Sequence, residues 1–301
     1  MDGVGIDHAC LMRELKKFGG RGEIRIGELG RSVLGREIPI ITVGRGTRGA
    51  LYVGAHHGME GITAGVLLDF ILEYLSLLSA DGECYGQSVR AWESEVCIHI
   101  VPMLNPDGVN YALHGVERSN PLRERVLQMN GERGEDFSHW QANARGVDLN
   151  HNYNAGFWAY KSLEQQAGIM NGAPTRYSGE RPESEPETAA LCRFLRFHRD
   201  SIAGVLTLHT QGEEIYCSCA DKLSAKTMAA GRALAHATGY RLARPEGLAA
   251  FGGLTDWCIG DLGRPCYTLE CGKGENPLPP QHRGSIYQTL RQSLFCFPFW
   301  V

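Results

Sequence analysis

Four runs of this chain are apolar without polar alternation: residues 50–55, 96–104, 204–208 and 265–269. Strands of that kind are covered on both faces, as in a mainly parallel or mixed central sheet. Between them, apolar positions recur at helical spacing over residues 61–78, 185–198 and 223–238, and a closing helix is expected over 285–295. Pro182, Ser184 and Glu187 supply a start signal for the second of these helices. Near the beginning, Leu11, Leu15 and Phe18 mark one side of an amphipathic helix over residues 7–18. Two strand-like runs, 23–29 and 38–43, come after it across glycine-containing turns. The alternation predicts an α/β fold: a mixed, mainly parallel sheet with helices on both faces. No linker or composition break divides the 301 residues, so one domain is expected, with residues 1–45 packed on it. The most apolar helical run, 61–78, contains Asp69 and Glu73, and is expected as a buried helix rather than a membrane span.

Polar, metal-capable or turn-forming residues stand directly after each of the four apolar runs. Residues 50–55 lead into His56-His57-Gly58-Met59-Glu60, and residues 96–104 into Asn105-Pro-Asp-Gly108. His209 comes after residues 204–208, and Glu270 after residues 265–269. Ligands of open α/β sheets sit outside the carboxyl ends of strands, so these groups are expected along one edge. Imidazole nitrogen and carboxylate oxygen are zinc ligands, and a catalytic zinc site uses three protein ligands plus one open position. His57 and Glu60, three residues apart across a turn, can face one ion that His209 completes; His56 is a rival ligand, because it too is close to Glu60. A carboxylate ending an apolar strand is costly unless paired or used, which makes Glu270 a candidate general base.

Charge and cysteine usage narrow the field. The formal net charge is −4, with 30 basic and 34 acidic residues, so nucleic acid is not an expected partner. Residues 1–6 carry Asp2 and no apolar core of a signal peptide. The ten cysteines, several inside apolar runs, are expected as free thiols of a reducing cytosol, the Cys217-Ser-Cys219 pair included.

With these residues in view, the chain resembles the M14 zinc carboxypeptidases over nearly its whole length. The motifs are Gly54-Ala-His-His-Gly-Met-Glu60, Asn105-Pro-Asp-Gly108, Arg145-Gly-Val-Asp-Leu-Asn150-His-Asn152, Leu208-His-Thr-Gln211 and Thr268-Leu-Glu270. The resemblance implies an eight-stranded mixed sheet and one zinc ion held by His57, Glu60 and His209, with Glu270 as the catalytic glutamate. It also implies that Arg145 polarises the scissile carbonyl. Two departures bear on substrate. Family members that trim ordinary C-termini carry Asn-Arg where this chain has Asn150-His151, and histidine cannot reproduce the arginine fork. Their mobile tyrosine falls on Leu248, four residues before Gly252-Gly253.

The altered pattern resembles a bacterial subgroup, the γ-D-glutamyl-meso-diaminopimelate peptidases, through Asp148-Leu-Asn-His-Asn-Tyr153, the residues after His209 and those after Glu270. It implies a zinc metallopeptidase that hydrolyses the γ-D-glutamyl–meso-diaminopimelate amide of peptidoglycan-derived peptides by glutamate-assisted attack of zinc-bound water. A small muropeptide is then the partner, with no nucleic acid and no membrane, and the setting expected is the cytoplasm. Asn150 and His151 are candidates for binding a substrate carboxylate; Gln211, Glu213, Thr255, Asp256 and Lys273 are further polar candidates near the pocket. Residues 247–253, rich in glycine and alanine, are expected as a closing loop. Alternatives are a carboxypeptidase for ordinary C-termini, an aspartoacylase-like deacylase of N-acyl amino acids, and a non-catalytic peptide-binding protein.

Overall fold

The computed structural model describes residues 5–217 and 223–301, so Cys219, and with it the Cys217-Ser-Cys219 pair, lies outside the described residues. The strands are β1 (Ile24–Arg31), β2 (Glu37–Gly44), β3 (Arg48–Val53), β4 (Glu83–Cys84), β5 (Gln87–Ser88), β6 (Val96–Val101), β7 (Ile202–His209), β8 (Glu214–Tyr216), β9 (Arg241–Ala243) and β10 (Cys266–Glu270). Eight of them form one sheet in the order β1-β2-β6-β3-β7-β10-β8-β9, and β4 with β5 forms a separate pair. The inner pairings β6–β3, β3–β7 and β7–β10 are parallel, as is β8–β9. The pairings β1–β2, β2–β6 and β10–β8 are antiparallel, so the sheet is mixed.

The helices are α1 (His8–Lys16), α2 (Ile62–Ser79), α3 (Val89–Glu95), α4 (Pro106–His114), α5 (Arg123–Asn130), α6 (Phe157–Gln166), α7 (Pro186–Phe197), α8 (Ala225–Thr238), α9 (Leu254–Trp257) and α10 (Arg283–Trp300). They cover both sheet faces, and β3 shows why its sequence is apolar throughout. Ala50 and Tyr52 enter one apolar cluster, shared with α1, α2, α8 and α10. Leu51 and Val53, on the opposite face, enter a second cluster shared with α7 and α9. A strand's side chains alternate between faces, so a strand buried on both shows no polar alternation. The acids of α2 lie where α2 meets α10: Arg283 Nε donates to Asp69 Oδ2 at 2.7 Å and Arg291 Nε to Glu73 Oε1 at 2.7 Å. Among the described residues, the helix 58–79 is the one long and apolar enough to cross a membrane, and 67% of its apolar window is buried in the protein.

Element ends shift by a few residues from the sequence expectation, and three shifts have a visible cause. β6 stops at Val101, because the Leu104 and Asn105 amides turn back to the carbonyls of Gly54 (3.1 Å) and Ala55 (3.0 Å). Asn105-Pro-Asp-Gly108 is a helix start rather than only a turn: the Asn105 side chain accepts from the Gly108 amide at 2.9 Å, and Pro106 takes the first helical position. α7 likewise begins at Pro186, leaving Pro182 and Ser184 outside; the Ser184 hydroxyl is engaged by Asn152 and Glu185, both at 2.9 Å.

Phe70 is fully buried, with ring centroids 5.9 Å from Tyr52 and 4.9 Å from Phe295. Phe70→Ala is expected to cost about 3–5 kcal/mol, read as a lower denaturant midpoint at unchanged slope. A loss below about 1 kcal/mol would show that this layer collapses around the cavity.

Candidate metal centre

Three parallel strands deliver the site. His209 ends β7 and Glu270 ends β10, and the two are register partners. Val53, the last residue of β3, pairs with Thr207 on the other side of β7. Beyond β3 the chain turns through Gly58–Glu60 into α2, which brings His57 and Glu60 over the end of β7. The Gly58 and Met59 amides fix that turn by donating to the carbonyls of Gln141 (2.9 Å) and Trp140 (2.8 Å). A Cβ at Gly58 would lie 2.4 Å from the Gly108 carbonyl oxygen, so the close approach admits only glycine.

Glu60 lies between two imidazoles. Its Oε1 is 2.9 Å from His57 Nδ1, its Oε2 is 3.0 Å from His209 Nδ1, and the two Nδ1 atoms are 3.3 Å apart. Two nitrogens bound at about 2.0–2.1 Å to one tetrahedral ion stand about 3.3–3.4 Å apart. Glu60 Oε2 is buried and, despite its nearness to His209, takes part in no aligned hydrogen bond. Two imidazole nitrogens and a buried carboxylate oxygen left unsatisfied, all within 3.3 Å of a neighbour, converge on one centre, and the donor set suits a divalent cation such as zinc. Among the described residues this is the one cluster of histidine, cysteine or carboxylate ligands able to hold a metal ion.

A second ring of contacts orients these ligands. His57 Nε2 is 3.1 Å from Asp148 Oδ1, the carboxylate–histidine arrangement that fixes a ligand's tautomer and ring. Burial alone would raise the Asp148 pKa, but the charge of His57, with hydrogen bonds from His57 and the Arg176 amide, holds it well below the ordinary range. Burial likewise opposes ionisation of Glu60, and His57 and His209 outweigh it, drawing its pKa down to about 2. His56 is not a ligand in this arrangement. Its Nε2 meets the Tyr153 hydroxyl at 2.9 Å, its Nδ1 the Thr207 hydroxyl at 3.2 Å, and its ring stacks 5.2 Å from that of His209. Glu270 is pushed up to about 8, first by burial and then by the charge of Glu60. A carboxylate so placed is a strong proton acceptor once ionised.

A cavity of about 210 Å³ opens beside the cluster and is lined by His57, Asp148, Asn150, His151, Thr255 and Glu270, among others. Asn150 Oδ1 accepts the Leu254 amide at 3.3 Å, which leaves the amide nitrogen as its donor. His151 differs from the carboxylate-binding role expected of it. Its Nδ1 is 2.9 Å from the Phe251 carbonyl, which can only accept, and burial keeps the ring's pKa below its ordinary value. The neutral ring then offers Nε2 as an acceptor. Thr255 shares a 2.8 Å hydrogen bond with Thr268 at the cavity wall, and Asp256 lines it too. Gln211, Glu213 and Lys273 are not among the lining residues; Glu213 and Lys273 pair with each other at 2.6 Å.

Arg145, like Gln211, is an expected site residue that the structure places outside the cavity lining. Its side chain is half-exposed, 3.5 Å from Glu185, and outside the cavity lining. The cause is local: Asn143 Oδ1 accepts the amides of Arg145 (3.0 Å) and Val147 (3.1 Å), and the resulting tight turn faces Arg145 outward. Gln141 lines the cavity from this segment instead, as do Arg176 and Tyr216, none of which the spacing of motifs marked out. In the 247–253 loop, Leu248, Ala249, Phe251 and Gly253 line the cavity, and Gly252 exchanges backbone bonds with Ala155 (2.6 Å) and Tyr153 (3.0 Å).

Asp148→Asn is expected to weaken metal binding about 10- to 100-fold, measured by chelator competition; unchanged affinity would remove its orienting role. Glu187, which is buried and accepts from the Val33 amide at 3.1 Å, is pushed up to about 8 by burial. Its folded pKa thus lies above the ordinary 4.5, so its contribution to stability is complete below that value and is lost as pH rises towards 8. Glu187→Gln should flatten the decline of melting temperature across this window; an unaltered profile would show that Glu187 does not titrate there.

Comparison with known proteins agrees with this geometry. The profile of the zinc carboxypeptidase family matches residues 21–291. The chain is 31% identical over 283 residues to gamma-D-glutamyl-L-diamino acid endopeptidase 1 of Lysinibacillus sphaericus, covering 94% of this chain and 69% of that protein. It is 30% identical over 176 residues to murein peptide amidase A of Escherichia coli K12, covering 57% of each. The structure of bovine thrombin-activatable fibrinolysis inhibitor, in complex with tick carboxypeptidase inhibitor, superposes with a TM-score of 0.73 at 17% identity, over 98% of this chain and 96% of that one, and so shares its fold. The profile match, together with a seat for one metal ion at the expected strand ends, establishes that the chain belongs to the M14 zinc carboxypeptidase family.

Proposed function

We propose that this metallopeptidase hydrolyses the γ-D-glutamyl–meso-diaminopimelate amide bond of peptidoglycan-derived peptides. The observation that carries the reading is the cavity beside the metal seat. His151 and Leu248, neither able to form a guanidinium or phenol contact with a C-terminal carboxylate, line it at the positions that departed from the pattern for ordinary C-termini. The similarity to a γ-D-glutamyl-L-diamino acid endopeptidase supports the same class. The nine described cysteines are all free, which fits a reducing compartment such as the cytoplasm.

His57, Glu60 and His209 would hold the zinc, and zinc supplies Lewis acidity that brings the pKa of a water towards about 7. The remaining chemistry belongs to the chain. Glu270 takes a proton from the attacking water as its oxygen bonds to the amide carbon. The same carboxyl then delivers the proton to the departing nitrogen as the C–N bond breaks, leaving a carboxylate and an amine. Gln141, whose Oε1 accepts the Thr175 hydroxyl, keeps its amide nitrogen as a donor at the cavity wall, where it can steady charge on the carbonyl oxygen.

Mass spectrometry of L-Ala-γ-D-Glu-meso-diaminopimelate digests tests the reading. The wild type should release diaminopimelate, and Glu270→Gln should lower kcat by about 10²- to 10⁴-fold. Intact tripeptide alongside cleavage of an ordinary C-terminal peptide bond would replace the proposed substrate.

A further inference from the structure

Arg176 lines the cavity without a task inside the protein. Its backbone amide donates to Asp148 Oδ2 at 3.0 Å and its carbonyl accepts the Tyr160 hydroxyl at 2.8 Å. Its guanidinium makes no hydrogen bond or ion pair among the described residues. The backbone there is left-handed, with φ +66°, a conformation that costs a non-glycine residue about 1–2 kcal/mol. Two tight contacts therefore hold a strained residue in place at the cavity lining, with its side chain exposed.

The neighbouring groups define what that end can meet. The Asp148 carboxylate is already taken: Oδ1 meets His57 and accepts the Asn150 amide at 3.1 Å, and Oδ2 accepts the Arg176 amide. The Tyr160 ring lies 4.0 Å from the His151 ring at an interplanar angle of 8°, so His151, Tyr160 and Arg176 form one rigid wall. On that wall His151 offers an acceptor, and the donors are the Asn150 amide nitrogen and the Arg176 guanidinium. A guanidinium matches a carboxylate with two parallel N–H···O bonds.

We propose that Arg176 is the carboxylate anchor of this cavity, binding a carboxylate of the diamino acid half of the substrate beside the Asn150 amide. This rests on the substrate class proposed above. It moves anion recognition from position 151, where histidine stands, to a loop residue on the same wall. His151 Nε2 is then free to accept from an amino or amide N–H of the same half-substrate.

Steady-state kinetics on L-Ala-γ-D-Glu-meso-diaminopimelate and on its diaminopimelate amide, for wild type, Arg176→Gln and Arg176→Gly, test this. The glycine variant removes the charge and relieves the left-handed strain, so it guards against misfolding. Both variants should raise KM for the free acid about 10- to 100-fold, with kcat nearly kept and metal content unchanged. Both should also abolish the wild type's preference for acid over amide. An unchanged KM and preference would overturn the anchor while leaving the substrate class intact. If the wild type cleaves only ordinary C-terminal peptides, the proposed substrate falls, and the same KM ratio on that peptide decides the anchor separately. Should neither be cleaved, calorimetry with diaminopimelate decides: equal binding by wild type and variants, or none by either, overturns the proposal.

Discussion

Glu60 is a carboxylate buried between two imidazoles, and the site depends on making that burial tolerable. An ionised carboxylate in a protein interior needs paired charge or a metal ion. Here His57 and His209 approach its two oxygens from different stretches of chain, at 2.9 and 3.0 Å. Their nitrogens also face each other at 3.3 Å, an arrangement in which a dication satisfies all three groups together. The parallel alignment of β3, β7 and β10 makes this possible, because it brings three strand ends to one edge.

Around that centre the protein spends polar side chains on orientation. Asp148 alone contacts His57 and the amides of Asn150 and Arg176, joining the metal seat to the cavity wall. His56 is tied to Tyr153 and Thr207 and stacks against His209. Such outer contacts set ring orientation and tautomer. They also explain how two adjacent histidines differ: one is turned to the metal seat and the other to the core.

The cavity then divides its labour. Glu270 stands at the strand edge, Gln141 and Thr175 form one wall, and Arg176 with His151 forms another. A neutral histidine held by the Phe251 carbonyl and a guanidinium with no partner among the described residues present opposite hydrogen-bonding characters on one surface. That suits a ligand carrying donor and acceptor groups close together.

The sequence by itself determined the class of fold and the metal seat. Double-sided burial writes unbroken apolar runs at the inner strands, and the polar groups needed at their ends stand directly after them, as with His57, Glu60, His209 and Glu270. The short strands β8 and β9, three residues each, leave too little pattern to be read. Only the tertiary structure decided which way side chains face in the loops between. Arg145 and Arg176 are both loop arginines, yet the turn built by Asn143 faces one towards Glu185 while contacts with Asp148 and Tyr160 hold the other at the cavity. Likewise His151 turned from donor to acceptor through a carbonyl one hundred residues away. Burial patterns are periodic and local, and so are legible along a chain. The direction of a loop side chain and the tautomer of a ring depend on partners that meet only once the chain has folded.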